Sequence, residues 1–319
     1  MTHTGGAGGP AGATVALYTH AACLDHDPGP GHPERIARLE TVLDALAPAA
    51  FPSLQRREAP RASRAQLARV HARHHIDGIV EHGPLHYWRM LDADTLMSPG
   101  SVEAALRAAG AVCAAVDAVV AGEVQRAFCA VRPPGHHATR DSAMGFCLFN
   151  NIAVGAAQAL AEHALERVAI VDFDVHHGNG TQDIFWREPR VLYASSHQSP
   201  LYPGTGASEE TGVGNIVNAP LPPEAGSAGF RAAFEQVLLP ELDAFAPQLV
   251  LISAGFDAHR LDPLANLNLE AADYGWVTRQ LVELARRHAG GRVVSSLEGG
   301  YSLDALRQSS AAHVAALLG

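Results

Sequence analysis

The sequence has little of what would mark it as secreted, membrane-bound or nucleic-acid-binding. It contains four cysteines in 319 residues: Cys23, Cys113, Cys129 and Cys147. None are paired as C-x-x-C, so neither a disulfide framework nor a cysteine metal knot is indicated. Cys113 and Cys129 lie in apolar runs and read as buried thiols, and a reduced, cytoplasmic setting is expected. No apolar run approaches the ~20 residues of a membrane span, which argues against a membrane partner. The glycine-rich stretch over 1–13 lacks the charged and apolar regions of a signal peptide. It reads as a flexible tail, leaving one domain over 14–319. Basic residues are outnumbered, 23 Lys+Arg against 33 Asp+Glu, for a net charge of −10. That balance argues against a general nucleic-acid binder and suits a cationic ligand or protein segment. Nucleotide-binding signatures are also missing: the glycine-rich loop Ser199 to Asn215 contains neither G-x-x-x-x-G-K-[ST] nor G-x-G-x-x-G. There is no G-x-S-x-G elbow and no H-E-x-x-H. No internal repeat is visible.

What is present centres on VAIVDFDVHHGNGTQDIF, Val168 to Phe185. Four apolar residues, Val168 to Val171, predict a strand buried on both faces. Asp172, Asp174 and His176 follow at every second position, so an extended chain points them to one side, with His177 beside them. Gly178, Asn179 and Gly180 turn the chain, and Thr181 is expected to cap a helix beginning near Gln182. One such acid would be read as a helix cap. Three metal-capable side chains on one edge predict a divalent metal site.

Along the chain, strands are expected at Ala13 to Thr19, Ala127 to Val131, Val191 to Gln198, Pro247 to His259 and from Arg292. Helices are expected at the end of His26 to Leu46, with Ile36, Leu39, Leu43 and Leu46 as the apolar face. Further helices are expected over Ser63 to His71, His74 to Glu81, Pro99 to Ala121, Asn151 to His163, Phe230 to Phe245 and Leu269 to His288, with a last one ending near Leu318. Leu91 to Ser101 reads as a polar loop. His71, His74 and His75 have no matching acids nearby and read as surface histidines. Arg35 and Arg38, near a helix start, read first as solvated or ion-paired, with a buried role for Arg38 as the rival. Strand follows helix repeatedly, and strands end in His136-His137, Asp174/His176, Ser195, Asp257 and Tyr301. The fold class is therefore α/β, a mainly parallel sheet of about eight strands with helices on both faces and the site along one edge.

Asp174, His176 and Asp257 give a metal two carboxylates and one imidazole and leave positions open, the catalytic pattern for Zn²⁺, with Fe²⁺ also suited. Such a metal polarises a carbonyl and acidifies bound water. Two prolines and a glycine stiffen the approach to His136 and His137, as suits histidines that must hold an orientation. Tyr301, after Gly299-Gly300 at a strand end, could donate to an oxyanion. Gly145-Phe146 offers a close backbone approach and an aromatic wall.

With those residues placed, the chain resembles the histone deacetylase superfamily, which includes bacterial acetylpolyamine amidohydrolases and acetoin-utilisation proteins. The resemblance runs from HPERIARL to LEGGYSL through RPPGHHA, GFCLFNN, DFDVHHGNGTQ, YPGTG, SAGFDAH and EGGY, in family order. It implies the arginase–deacetylase fold and metal-dependent removal of an acyl group from an amine. It puts Asp174, His176 and Asp257 in the zinc-ligand places. His137 takes the place of the general base and acid, His136 that of its electrostatic partner, and Tyr301 that of the oxyanion donor. Asp172 falls behind His136 and Asn179 behind His137, where Asn follows the class II pattern and Asp would follow class I. Gly145, Phe146, Tyr202, Leu264 and Asp94 fall among the substrate contacts, and Arg38 near the acetate exit. A structural K⁺ site falls on the backbone of Asp172, Asp174 and His176 with Ser195 and Ser196. The expected substrate is an acyl-lysine peptide or protein, with an acylpolyamine as the alternative and a non-catalytic acyl-lysine binder as a third reading. A homo-oligomer, dimer or tetramer, is compatible with the sequence.

Overall fold

The computed structural model describes residues 13–319. Of the tail expected over 1–13, only Ala13 falls among them, and its N–H donates to the Leu318 carbonyl at 3.1 Å. The strands in chain order are β1 (Val15–Thr19), β2 (Gln55–Glu58), β3 (Arg89–Met90), β4 (Leu96–Met97), β5 (Arg126–Cys129), β6 (Val168–Asp172), β7 (Val191–Gln198), β8 (Ile216–Leu221), β9 (Leu249–Ala254) and β10 (Val293–Leu297). Eight of them form one sheet in the order β2-β1-β5-β10-β9-β6-β7-β8, and every pairing in it is parallel. Strands β3 and β4 make a separate antiparallel hairpin.

The helices are α1 (Ile36–Ala45), α2 (Arg64–Leu67), α3 (Arg73–Val80), α4 (Ser101–Val120), α5 (Asn151–Glu162), α6 (Asn179–Phe185), α7 (Ser227–Ala233), α8 (Leu239–Phe245), α9 (Ala271–His288) and α10 (Leu303–Leu318). Helices α4 and α5 pack on each other, and α1, α10 and α9 pack in succession as a second row. Central strands such as β6 are buried along their whole length, the burial that parallel sheets need and the reason they read as unbroken apolar runs. No helix among the described residues is long and apolar enough to cross a membrane.

The apolar pattern does not reveal the two edge strands. Strand β2 is Gln-Arg-Arg-Glu and largely exposed, and β8 carries an exposed proline, Pro220. Charge and proline are what a sheet edge tolerates and a sheet centre does not. The hairpin of β3 and β4 falls partly inside the expected polar loop Leu91 to Ser101, where Thr95, Ser98 and Ser101 are buried. The helix expected over Phe230 to Phe245 starts earlier, at Ser227, and holds a π-helical turn, Phe234–Leu238.

Other expectations need correction. The buried face of α1 is Arg38, Leu39, Thr41 and Val42, while Ile36 and Leu43 are only half-buried. Arg38 is buried and also ion-paired, its Nη1 2.8 Å from Glu34 Oε1. Thr181 is not a cap: it lies inside α6, which is preceded by Gly178, and its N–H donates to the His136 carbonyl at 3.1 Å.

His71 and His75 are not surface residues. Both are buried, and only His74 is exposed. His71 Nδ1 donates to the Thr139 carbonyl at 2.9 Å, and its Nε2 accepts the Asn150 N–H at 2.9 Å. His75 Nε2 is 2.9 Å from the Leu148 carbonyl. The absence of nearby acids misled because the partners of these imidazoles are backbone groups. Asn150, held in this way, caps α5 and donates to the Ala138 carbonyl at 3.1 Å.

Candidate active site

Strands β5, β10, β9 and β6 are consecutive neighbours at the middle of the sheet. The loops leaving their C-terminal ends carry His136-His137, Tyr301, Asp257 and Asp174 to His176 in turn, with Asp172 as the last residue of β6. This is where parallel α/β sheets place their sites. One ligand atom from each of Asp174, His176 and Asp257 lies within 4.8 Å of the others, and all three residues are buried. His176 Nδ1 is 3.1 Å from Asp174 Oδ1 and 3.2 Å from Asp257 Oδ2. Asp257 Oδ2 is a buried oxygen without a hydrogen-bond partner. Its other oxygen accepts the Val175 N–H at 2.9 Å, and Asp174 Oδ2 accepts the Gly299 N–H at 2.8 Å. Two buried carboxylates this close repel unless a cation sits between them. The donor set therefore fits a divalent metal. A Cβ on residue 299 would lie 2.0 Å from Asp257 Oδ2, so glycine is required there.

Asp172 does not share that cluster, although it alternates with Asp174 and His176 in sequence. The strand ends at Asp172, and its side chain lies behind His136, with Oδ2 2.9 Å from His136 Nδ1. Tyr193, which the sequence reading did not single out, donates its hydroxyl to the same oxygen at 3.1 Å. His177 also turns away from the cluster: its ring nitrogens bond Thr205 Oγ1 at 2.7 Å and Gln182 Oε1 at 3.0 Å.

The imidazoles of His136 and His137 lie 4.0 Å apart, centroid to centroid, with different partners. His137 Nδ1 lies 2.8 Å from Asn179 Oδ1. The Asn179 amide group contacts Met144 Sδ at 3.3 Å, which sets that orientation. An amide oxygen only accepts, so His137 Nδ1 carries the proton and Nε2 is left as the basic nitrogen. Burial opposes a charge on His136, but Asp172 and Asp174 outweigh it and hold its pKa well above the usual histidine value. Burial, and then the charge on His136, hold His137 well below that value. Burial raises the Tyr301 hydroxyl pKa, and the Arg38 guanidinium only partly offsets it, so the hydroxyl stays protonated.

A cavity of about 260 Å³ opens onto these groups, walled by Asp94, His137, Gly145, Phe146, His176, Leu201, Tyr202, Leu264 and Tyr301. All the expected substrate contacts except Arg38 line it, and Leu201 joins them unforeseen. Arg38 lies beneath, with its Cζ 4.8 Å from the Tyr301 ring centroid and its Nε donating to the Gly300 carbonyl at 2.6 Å. Gly145 and Phe146 both adopt positive φ, 55° and 68°. A Cβ on residue 145 would come within 2.4 Å of the His137 ring, so glycine is what lets this wall close on the imidazole. Asp94 Oδ1 accepts the Gly145 N–H at 3.1 Å. Asp262, another residue not singled out from sequence, accepts the Tyr301 N–H at 2.7 Å. Ser195 and Ser196 are buried on β7, with Ser195 in register with Asp172. The Ser196 hydroxyl has no hydrogen-bond partner.

The description "Histone deacetylase domain" matches residues 32–317. A "Histone deacetylase-like amidohydrolase" of Pseudomonas aeruginosa is 41% identical, over 90% of this chain and 82% of the relative. A "Probable deacetylase" of Archaeoglobus fulgidus is 39% identical, over 96% of this chain and 86% of its own length. Among solved structures, the crystal structure of the HDA15 HD domain superposes with a TM-score of 0.91 at 39% identity, covering 96% of this chain and 88% of that one. A match over nearly the whole chain, together with that of the fold, means that this chain belongs to the histone deacetylase family, hydrolases that act on amide bonds.

Proposed function

We propose that this deacetylase removes acetyl or other acyl groups from lysine side chains in peptides or proteins, with Asp174, His176 and Asp257 holding a zinc ion. Fe²⁺ suits the same donors. When bound, the metal supplies Lewis acidity, which polarises an amide carbonyl and acidifies water. The observation that carries the reading is the contrast in partners: His136 Nδ1 lies on the Asp172 carboxylate, which favours its cation, and His137 Nδ1 lies on the Asn179 amide oxygen, which leaves Nε2 free. A neutral imidazole 2.8 Å from an uncharged amide oxygen can take a proton from the attacking water. It can then return that proton to the departing lysine nitrogen as the C–N bond breaks. The neighbouring imidazolium favours the negative charge that develops on the carbonyl oxygen. The Tyr301 hydroxyl, kept protonated by burial, donates to that oxygen. Phe146 and Tyr202 flank the cavity and suit the four-methylene stem of lysine.

Leu264 supports lysine over polyamines, because it gives the cavity wall an apolar contact where a carboxylate would draw a distal ammonium. Asp94 has one oxygen not engaged by Gly145 or Thr95, which can accept a substrate N–H. A potassium ion on the backbone of Asp172, Asp174 and His176 with Ser195 and Ser196 is part of the reading. It is supported by the unpartnered Ser196 hydroxyl. The chain contains no lysine, so an acyl-lysine signal in an assay comes from the substrate alone. The test is kcat/KM on a panel of acyl-lysine peptides and acylpolyamines. Acyl-lysine peptides are expected to be preferred, and a tenfold or greater preference for acetylpolyamines would overturn the assignment.

A further inference from the structure

Glu298 directly follows β10, three residues before Tyr301, and is fully buried at 0% exposure. Its Oε2 accepts the Gly135 N–H at 2.6 Å and the His136 N–H at 3.2 Å, and its Oε1 accepts the Ser253 hydroxyl at 3.1 Å. None of these donors is charged. A carboxylate buried on neutral donors is costly to folding, and burial pushes its pKa up to about 7. The charge on nearby His136 only partly offsets that burial, and a residue retained at such a cost points to a role in function.

The main chain around Glu298 is tied down as firmly. Its N–H donates to the Ala254 carbonyl at 3.0 Å, and its own carbonyl accepts Arg38 Nη2 at 2.5 Å. Two residues on, Gly300 is held by Arg38 Nε at 2.6 Å, and Asp262 holds the Tyr301 N–H at 2.7 Å. The run from Glu298 to Tyr301 is therefore rigid. On the other side, the His136 carbonyl accepts the Thr181 N–H at 3.1 Å, so His136 is gripped at both its N–H and its carbonyl. The loop after β5 and the loop after β10 lie side by side because those strands pair. Pairing ends before the functional residues begin, and past that point the Glu298 side chain joins the two loops.

We propose that Glu298 is a positioning residue for the hydrolysis: its carboxylate clamps the Gly135 and His136 N–H groups and so sets His137 against Tyr301. The inference rests on the reading of His137 as proton carrier and Tyr301 as oxyanion donor. Without the clamp the two loops drift apart, and a displacement of ~1 Å at reacting groups costs up to about 10²-fold in rate. Neither Glu298 nor the Gly135 and His136 it holds line the substrate cavity, so substrate binding is little affected.

The test compares Glu298→Ala and Glu298→Gln in the zinc-loaded enzyme, reading kcat, KM, zinc content and melting temperature with an acetyl-lysine peptide. Glu298→Ala is expected to lower kcat about 10- to 100-fold, with KM within about threefold and zinc retained. Glu298→Gln keeps an amide oxygen for both N–H groups and is expected to hold kcat within about threefold. A merely structural glutamate would lower the melting temperature and leave kcat per folded molecule unchanged. That result, or a Gln variant as slow as the Ala variant, would overturn the proposal. If Glu298→Ala does not fold, Ser253→Ala loosens the same carboxylate, and an unchanged kcat there would overturn it equally. His137→Ala is assayed alongside. Full activity in that variant would refute the reading of the site itself, whereas an inactive His137→Ala beside a fully active Glu298→Ala refutes only the clamp.

Discussion

His137 Nδ1 lies 2.8 Å from Asn179 Oδ1, a neutral acceptor, while its neighbour His136 pairs with the carboxylate of Asp172 at 2.9 Å. One imidazole is thereby held charged and the other neutral. His137→Ala should be inactive with zinc still bound, because no proton carrier remains, and His136→Ala should keep some activity. Asn179→Asp tests the sign. A carboxylate there raises the pKa of His137, so the base is free only at higher pH and the acid limb of kcat/KM should move up by about 1 unit or more. An acid limb that stays in place, or a reversed ranking of the two alanine variants, would remove His137 from the role of base.

Tyr301→Phe removes the protonated hydroxyl without touching the Asp262 contact, which is made by the Tyr301 backbone N–H. The loss falls on the transition state, so kcat should drop about 10²-fold or more with KM little changed. Steady-state kinetics on one acyl-lysine peptide decide this, and a full kcat would exclude Tyr301 from the chemistry.

Zinc should stabilise the folded chain by mass action, because the three donors converge only in the native state. Asp257→Asn keeps an oxygen for the Val175 N–H and loses a ligand charge. A zinc titration followed by melting temperature should therefore give a clear rise for the parent and a smaller one for the variant. Equal shifts would place the metal elsewhere.

Leu264→Glu should move the ratio of kcat/KM values towards acetylspermidine and acetylputrescine, because a carboxylate at the cavity wall attracts their distal ammonium groups. If the ratio stays put, Leu264 does not govern the choice between lysine and polyamine substrates.

His71 should make stability depend on acid. Burial, then the proximity of His75, pushes its pKa down to about 3, and its Nε2 already accepts the Asn150 N–H. In the unfolded chain it titrates near ~6.5, so below that pH the unfolded state binds a proton that the native state refuses. The stabilising effect is therefore complete above about pH 6.5 and declines towards pH 3, by at most about 1.4 kcal/mol per pH unit. Urea unfolding at pH 7.5 and pH 5 should show a shallower pH dependence for His71→Gln than for the parent. Matching slopes would contradict the assignment.

How legible each of these features was depends on how local its cause is. β6 could be read from its own residues, since burial on both faces imposes an unbroken apolar run, and β7 from its apolar first half, Val191 to Ala194. Strands β2 and β8 could not, because an edge strand is specified by the neighbour it pairs with and its own composition is polar or broken by proline. His71 and His75 were misread for a related reason: their partners, the Thr139 carbonyl, the Asn150 N–H and the Leu148 carbonyl, are backbone groups distant in sequence.

The sequence by itself determined the α/β class and the family. It also determined the chemical types at the candidate site, because the proposed ligands and bases sit in short motifs where strands end. Only the tertiary structure decided how those motifs meet. It separated Asp172 from Asp174 and His176, because the strand stops at Asp172 and the alternation of an extended chain stops with it. It brought Asp257 to Asp174 and His176 by pairing β9 with β6, and it seated Tyr301 opposite through β10. It also placed Glu298 beneath Gly135 and His136. No spacing rule encodes that contact, since it joins residues more than 160 positions apart through the packing of neighbouring strands.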